Sequence, residues 1–317
     1  MPTRHFLTLS DLSATELQRL LREAARHKRD RRYGRQALAG RIVALVFQKP
    51  SMRTRVAFEV AVLQLGGSVV YLGQEDIQLG QREPIKDVAR VLSGYVDAIV
   101  ARTFAHADAE EFARYATVPV VNGLSDLHHP CQALADLLTM HEHFGTLRGL
   151  TVAYIGDGNN VLHSLMQGLG RFRGVTLRVA TPDGYGPNQR IWGEEVRRFG
   201  GRLDLCVDGP EAAARGADVV YTDVWTSMGQ ERERAARAKA FTAFQVNREL
   251  LALAKPGCMV MHCLPAHRGE EITDEIMEGR RSLIFAQAEN RLHAQKALLV
   301  LLLGGRARGA RRRTERG

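Results

Sequence analysis

Nowhere in this 317-residue chain is there an apolar run long enough to cross a bilayer. The longest, Ala297 to Leu303, has seven residues, against the roughly 20 that a spanning helix needs. Behind Arg4 the N-terminus has neither an apolar core nor a small-residue cleavage site, so no secretory signal is expected. Cysteine is sparse. Cys131, Cys206, Cys258 and Cys263 are scattered, with no CxxC pair and no His-rich spacing beside them. That distribution argues against a disulfide framework and against structural zinc, and it predicts a reduced, cytoplasmic protein. Internal repeats are lacking, and low complexity is confined to the last dozen residues.

What is present is ordinary in bulk. The 45% hydrophobic and 25% charged fractions are those of a globular protein. The length exceeds one typical core, so two domains are expected. A net charge of +9 points toward nucleic acid until its placement is considered. Arg306 to Gly317 holds six arginines and one glutamate, and the remainder carries about +4, a modest value for a domain pair. Rich in Gly and Arg and without apolar periodicity, residues 305–317 are expected to form a disordered, solvated extension. Nucleic acid is therefore not an expected partner.

Ser13-Ala14-Thr15-Glu16 has the form of a capping box and opens a helix to about His27, with Leu17, Leu20, Leu21 and Ala24 at helical spacing. Short apolar runs then alternate with helical patterns. Strands are expected over 42–47, 69–72, 98–101 and 118–121, and helices near 55–65, 84–94, 108–115 and from Pro130 to Phe144. The alternation restarts at Leu150, with strands over 151–155, 175–180, 203–207, 218–222 and 258–261. Each half is thus expected to be an open parallel α/β sheet covered by helices, the first over residues 1–146 and the second over 147–289. Gly145 to Gly149 is expected to form the hinge region between them, and an apolar helix over Asn290 to Leu303 is expected to end the pattern.

Open α/β sheets bind ligands at the carboxyl ends of their strands, and each polar motif here stands just after a strand candidate. Ser51-Met52-Arg53-Thr54-Arg55 follows 42–47 and precedes a helix. Free N–H groups and the helix dipole attract anions there, while two hydroxyls and two guanidiniums suit phosphate oxygens. A solvated basic turn capping an ordinary helix is the blander reading of the same residues. Arg102 follows 98–101, and His129 opens a helix with Gln132 one turn on. In the second half, Asn160, Asp223 and Cys263 stand after 151–155, 218–222 and 258–261. All of them would face one cleft between two domains.

Five segments, in this order, resemble the motifs of the ornithine carbamoyltransferases. They are Ser51 to Arg55, His129-Pro130-Cys131-Gln132, Gly156-Asp157-Gly158-Asn159-Asn160, Asp223-Val224-Trp225-Thr226-Ser227-Met228-Gly229, and His262-Cys263-Leu264-Pro265. The resemblance runs from about Phe6 to about Gly304. It implies transfer of the carbamoyl group of carbamoyl phosphate to the δ-amine of L-ornithine, giving L-citrulline and phosphate, with no metal or organic cofactor. By that resemblance Ser51, Met52, Arg53 and Thr54 hold the phosphate. Met52 replaces the family's usual Thr, at a place where only the backbone N–H is expected to touch the ligand. Thr54, Arg102 and His129 would face the carbonyl oxygen, and Gln132 would accept from the carbamoyl NH₂. Pro130, Cys131, Cys263, Leu264 and Arg291 would complete the carbamoyl phosphate pocket.

On the ornithine side the resemblance implies Asn160 for the α-carboxylate, Asp223 for the α-ammonium, and Ser227 with Met228 closing over the amino acid. Arg102, His129, Asp223 and Cys263 would form the catalytic set, with Cys263 and Asp223 relaying the amine proton. Gln78 matches a loop that reaches a neighbouring subunit, which implies a homotrimer or a multiple of trimers with shared sites. The last helix would cross back to complete the first domain.

Alternatives stay open. Sister transferases act on acetylornithine, putrescine, lysine or aspartate. Gly156-x-Gly158 after a strand also invites an NAD-dependent dehydrogenase, but Val161 replaces the third glycine and Asp183 comes too late after the next strand. A non-catalytic binder using its basic tail is the reading from another class. Taken by themselves, Cys131, Cys206 and Cys258 read as buried structural cysteines.

Overall fold

The computed structural model describes residues 3–79, 82–206, 208–227 and 229–304. The expected tail over 305–317 and Met228 lie outside them. The first half runs α1 (Ala14–Arg29), β1 (Ile42–Phe47), α2 (Met52–Gln64), β2 (Ser68–Leu72), α3 (Gln74–Ile77), α4 (Ile85–Tyr95), β3 (Ala98–Arg102), α5 (His106–Tyr115), β4 (Val120–Leu124) and α6 (Pro130–Phe144). The second runs β5 (Thr151–Ile155), α7 (Asn160–Leu169), β6 (Thr176–Ala180), α8 (Gln189–Phe199), β7 (Leu203–Leu205), α9 (Pro210–Ala214), β8 (Val219–Thr222), α10 (Arg234–Phe241), α11 (Arg248–Ala252), β9 (Met259–His262), α12 (Asp274–Glu278) and α13 (Ile284–Leu303).

Both sheets are parallel throughout, ordered β2-β1-β3-β4 and β7-β6-β5-β8-β9. Their central strands are apolar on both faces because helices cover both sides. Val43, Leu45 and Phe47 of β1 belong to the core that includes α1, α2, α6 and α13, while Ala44 and Val46 pack beneath α4 and α5. The strand order reverses between β1 and β3 in one sheet and between β5 and β8 in the other. Crevices open at such switch points because the flanking connections leave on opposite faces. Arg102 pairs in register with Phe47 across the first of them. α13 packs on α1, α2 and α6, so the last helix among the described residues lies on the first half. No helix among the described residues is long and apolar enough to cross a membrane.

Several boundaries differ from expectation. β4 spans Val120–Leu124 rather than 118–121. Pro119 offers only its carbonyl, which accepts from Ile99 N–H, and the polar end of the strand is held by Asn122 Nδ2 donating to the Leu7 carbonyl. β7 ends at Leu205. α13 begins at Ile284, six residues before the expected Asn290; its N-cap, Leu283, makes no side-chain capping bond, so no capping signal marks the start. Cys206 is half-buried, with its thiol facing Asp204, whereas Cys131 and Cys258 are buried.

Candidate active site

A cavity of about 510 Å³ opens between the two sheets, against both switch points. Its first wall is cationic. Ser51 caps α2 by accepting from Thr54 N–H at 3.3 Å. Its hydroxyl also lies 3.1 Å from Thr54 Oγ1, and Arg291 Nη2 donates to that same oxygen at 2.7 Å. With Ser51 and Arg291 both donating, the Thr54 hydroxyl keeps its own proton free for a ligand. Lys49, Arg53, Arg102 and Arg291 all line this wall, and none forms an ion pair with a carboxylate among the described residues.

Burial makes that wall costly. Arg102 is only 5% exposed. Burial and then the nearby Arg291 and Arg53 push its guanidinium down to about 9, still cationic at neutral pH. Lys49 is pushed down to about 8 by burial and by Arg102, against the pull of Asp126. Burial also lowers Arg291. Arg102 Nε, Arg291 Nε and His129 Nδ1 are buried without a hydrogen-bond partner in the protein. Unpaired buried cations and unsatisfied donors are destabilising, and they become favourable when an anion enters.

His129 stands at the N-terminal end of α6, where Pro130 occupies the first turn and the His129 N–H donates to Ser164 Oγ at 2.8 Å. Burial, then the neighbouring Arg291, Arg102, Lys49 and Arg53, hold its imidazole well below the usual range. It is therefore neutral and offers one N–H donor.

The opposite wall is carboxylate and thiol. Asp223, just after β8, accepts from Asn159 Nδ2 at 2.7 Å and from the Cys263 thiol at 2.8 Å. Asn159 also caps α7. Burial and then Asp223 hold the Cys263 thiol well above its usual range, so it is a protonated donor rather than a thiolate. Leu264 adopts a positive φ of 60°, rare for such a residue, and its N–H donates to His262 Nδ1 at 2.9 Å. His262 must then carry its proton on Nε2, which meets buried Glu271 at 3.1 Å. Asp223, His262 and Cys263 bring donor atoms within 4.8 Å of one another. Both His262 nitrogens and the thiol are nevertheless engaged in hydrogen bonds, a poor start for holding a metal.

Of the residues singled out in the sequence, Ser51, Met52, Arg53, Thr54, Arg102, His129, Asn160, Asp223, Ser227, Cys263, Leu264 and Arg291 meet on this cavity. Met52 is 70% exposed. Asn160 Nδ2 is already donated to the Ser125 carbonyl at 2.5 Å. Pro130, Cys131 and Gln132 are buried behind the wall. The Cys131 thiol points at the Asn122 carbonyl in the core, so it is placed for packing rather than for contact with a ligand. Gln132 keeps an unpartnered carbonyl oxygen. Gln78 is exposed and away from the cavity. Sequence reasoning missed Lys49 and Asn159 as individual contributors; the only available signal was their position inside motifs whose neighbours drew the attention.

Gly158 has a structural reason of its own. A Cβ there would fall 2.3 Å from the Gly186 carbonyl carbon and the Pro187 nitrogen. Its missing side chain makes room for the chain's own loop, not for a dinucleotide.

Comparison with known proteins gives the chain a family. The carbamoyl-P binding domain of aspartate/ornithine carbamoyltransferases matches residues 4–142, and their Asp/Orn binding domain matches 148–302. The chain is 56% identical to an ornithine carbamoyltransferase of Acidothermus cellulolyticus, over 96% of this chain and 98% of that protein. It is 52% identical to an anabolic ornithine carbamoyltransferase of Pyrococcus furiosus, over 95% and 97%. The solved Pyrococcus furiosus ornithine carbamoyltransferase superposes with a TM-score of 0.91 at 51% identity, covering 96% of this chain and 98% of that one. An anabolic enzyme from Campylobacter jejuni superposes at 0.89 with 38% identity, covering 96% and 100%.

Proposed function

The chain belongs to the aspartate/ornithine carbamoyltransferase family, and from that premise we propose that it is an ornithine carbamoyltransferase of arginine biosynthesis. It moves the carbamoyl group of carbamoyl phosphate to the δ-amine of L-ornithine. The observation that carries this reading is the unpaired cationic wall, with its unsatisfied buried donors, facing Asp223 across one cavity. A dianion fits the first wall, and an amino acid's ammonium fits the second.

Phosphate sits on the α2 N-terminus, with Ser51, the Met52 N–H, Arg53 and Thr54 around it. Arg102, His129 and Thr54 donate to the carbamoyl oxygen, whose negative charge grows as the amine attacks. The amine nitrogen forms a bond to the carbamoyl carbon, the C–O bond to phosphate breaks, and the amine gives up a proton. Asp223 holds the α-ammonium, and the neutral Cys263 thiol lies beside the reacting amine as part of the route for that proton. Asn160 and Ser227 take the amino-acid end. Positioning and charge stabilisation supply the rate, because carbamoyl phosphate is already activated.

Three exposed apolar side chains of α2 and β2, Val56, Leu63 and Val70, together with Tyr95 on α4, support a homotrimer built on the first half. β2 is the edge strand there, and Gln78, just beyond it, reaches the neighbouring subunit's site. Four free cysteines suit the reducing cytoplasm. Citrulline formation, measured beside the products from putrescine, lysine, acetylornithine and aspartate, tests the assignment. Equal turnover of putrescine, which has no α-carboxylate, would overturn it.

A further inference from the structure

Behind the cationic wall, one carboxylate is buried where elements of both halves meet. Asp136, on α6, is fully buried. Its Oδ1 accepts from Gln132 Nε2 at 2.9 Å and from Gln287 Nε2 at 2.7 Å. Its Oδ2 accepts from the Tyr221 hydroxyl of β8 at 3.1 Å. Gln287, near the start of α13, also lies 3.0 Å from that hydroxyl, and its Oε1 accepts from His262 N–H at 3.0 Å, one residue before Cys263. Gln132 Oε1 has no partner in the protein.

A primary amide has nearly the same shape either way round, so only its partners decide which end faces where. An ionised carboxylate accepts and cannot donate. Above about pH 7, where Asp136 is ionised, it therefore draws the NH₂ of both glutamines toward itself. For Gln287 this leaves the oxygen on His262. For Gln132 it leaves a buried oxygen without a partner, on a side chain one helical turn from His129, which lines the cavity.

We propose that Asp136 is a positioning residue that fixes the amide orientation of Gln132, so that the carbamoyl subsite presents an acceptor to the substrate's NH₂. The proposal rests on the reading that Gln132 receives the carbamoyl NH₂. The site thereby distinguishes a carbamoyl group from an acetyl group of the same shape, because the wrong orientation would set donor against donor. Acidification weakens the arrangement. Burial raises the Asp136 carboxyl to about 7, opposed by the hydrogen bonds from Gln132, Gln287 and Tyr221 and by the charge of Arg291. Cys263 and Tyr154 are the other ionisable groups that feel its charge. Once protonated, Asp136 can donate to the Gln132 oxygen and let the amide turn over.

The test uses two stable phosphonates of the same shape. Phosphonoacetamide carries the NH₂, and acetonylphosphonate carries a methyl in its place. Calorimetric titration of the unaltered protein is expected to favour the amide by about tenfold or more. Asp136→Asn is expected to remove most of that preference while changing acetonylphosphonate affinity by less than about twofold, and Gln132→Ala to do the same. The double variant should lose nothing further, since both act through one contact. Preference retained in Asp136→Asn but lost in Gln132→Ala would overturn the positioning role alone. Preference retained in Gln132→Ala would instead overturn the reading of Gln132 beneath it. Loss of both ligands together in Asp136→Asn would mean a merely structural residue. The unaltered protein gives an independent readout, in which each affinity is first expressed per phosphonate dianion from that compound's own titration and the ratio of the two is then taken. That ratio should fall as pH drops through about 7; a ratio flat from about pH 5 to 9 would also overturn the proposal.

Discussion

At the scale of single side chains, the proposed reaction divides the cavity's cations into those that bind and those that act on developing charge. Arg102 ends β3 at the switch point and keeps an unsatisfied Nε. Arg102→Leu is expected to cut kcat by about 10² to 10³. Steady-state kinetics giving a normal kcat and only a raised KM would reduce Arg102 to a binding residue. Lys49 yields a pH test. With its ammonium pushed down to about 8, it is charged below that pH and neutral above it. An entering dianion favours the charged form and raises its pKa, so affinity must fall as pH rises through the free-state value. Inorganic phosphate is expected to bind more weakly as pH rises across 8 to 9 in the unaltered protein, and the fall should be smaller in Lys49→Gln, where Arg102, pushed down to about 9, still titrates. A step of equal size in both would remove Lys49 from the pocket. Arg53 and Thr54 were readable in the sequence because a helix start and a basic turn fall together. Asp136 and Gln287 were not, since their partners are 85 and 151 residues apart in the chain and meet only through packing.

At the scale of elements, the buried strands were the legible part. β1 and β5 fall where their uninterrupted apolar runs place them, because helices on both faces demand apolar side chains at every position. Starts and ends were harder. α1 announces itself by a capping box between Ser13 and Glu16, but α13 begins at Ile284 without any such signal. Its first turns, which carry Gln287, were therefore read as connection. The β5–α7 turn shows how a legible motif can mislead. Gly156-x-Gly158 looks like a nucleotide turn, yet Gly158 is pressed against the Gly186–Pro187 backbone. Gly158→Ala is expected to cost about 1–3 kcal/mol or more through overpacking that neither loop can relieve cheaply. A thermal melt several degrees lower would report it, whereas an unchanged Tm would show the two loops free to separate. The strain should also displace Asn159, which holds Asp223, so the KM for ornithine should rise more than that for carbamoyl phosphate.

At the scale of the whole molecule, one chain brings together both walls of the cavity but leaves Gln78 exposed on its outside. If the working unit is a trimer with shared sites, each cavity needs its own Arg102 and a neighbour's Gln78. Gln78→Ala and Arg102→Leu should then each lower activity when every subunit carries the change. Mixed trimers behave differently. A cavity belonging to a Gln78→Ala subunit has an intact Arg102, and it regains a Gln78 whenever the neighbour facing it is an Arg102→Leu subunit. Random mixing in equal amounts makes about one cavity in four complete, so roughly a quarter of the unaltered activity should return. Unfolding and refolding the two variants together, then assaying citrulline, measures it, and sedimentation fixes the mass of the mixed species. Activity no higher than the average of the two parents, in an assembly sedimenting as a trimer, would mean that each chain completes its own site.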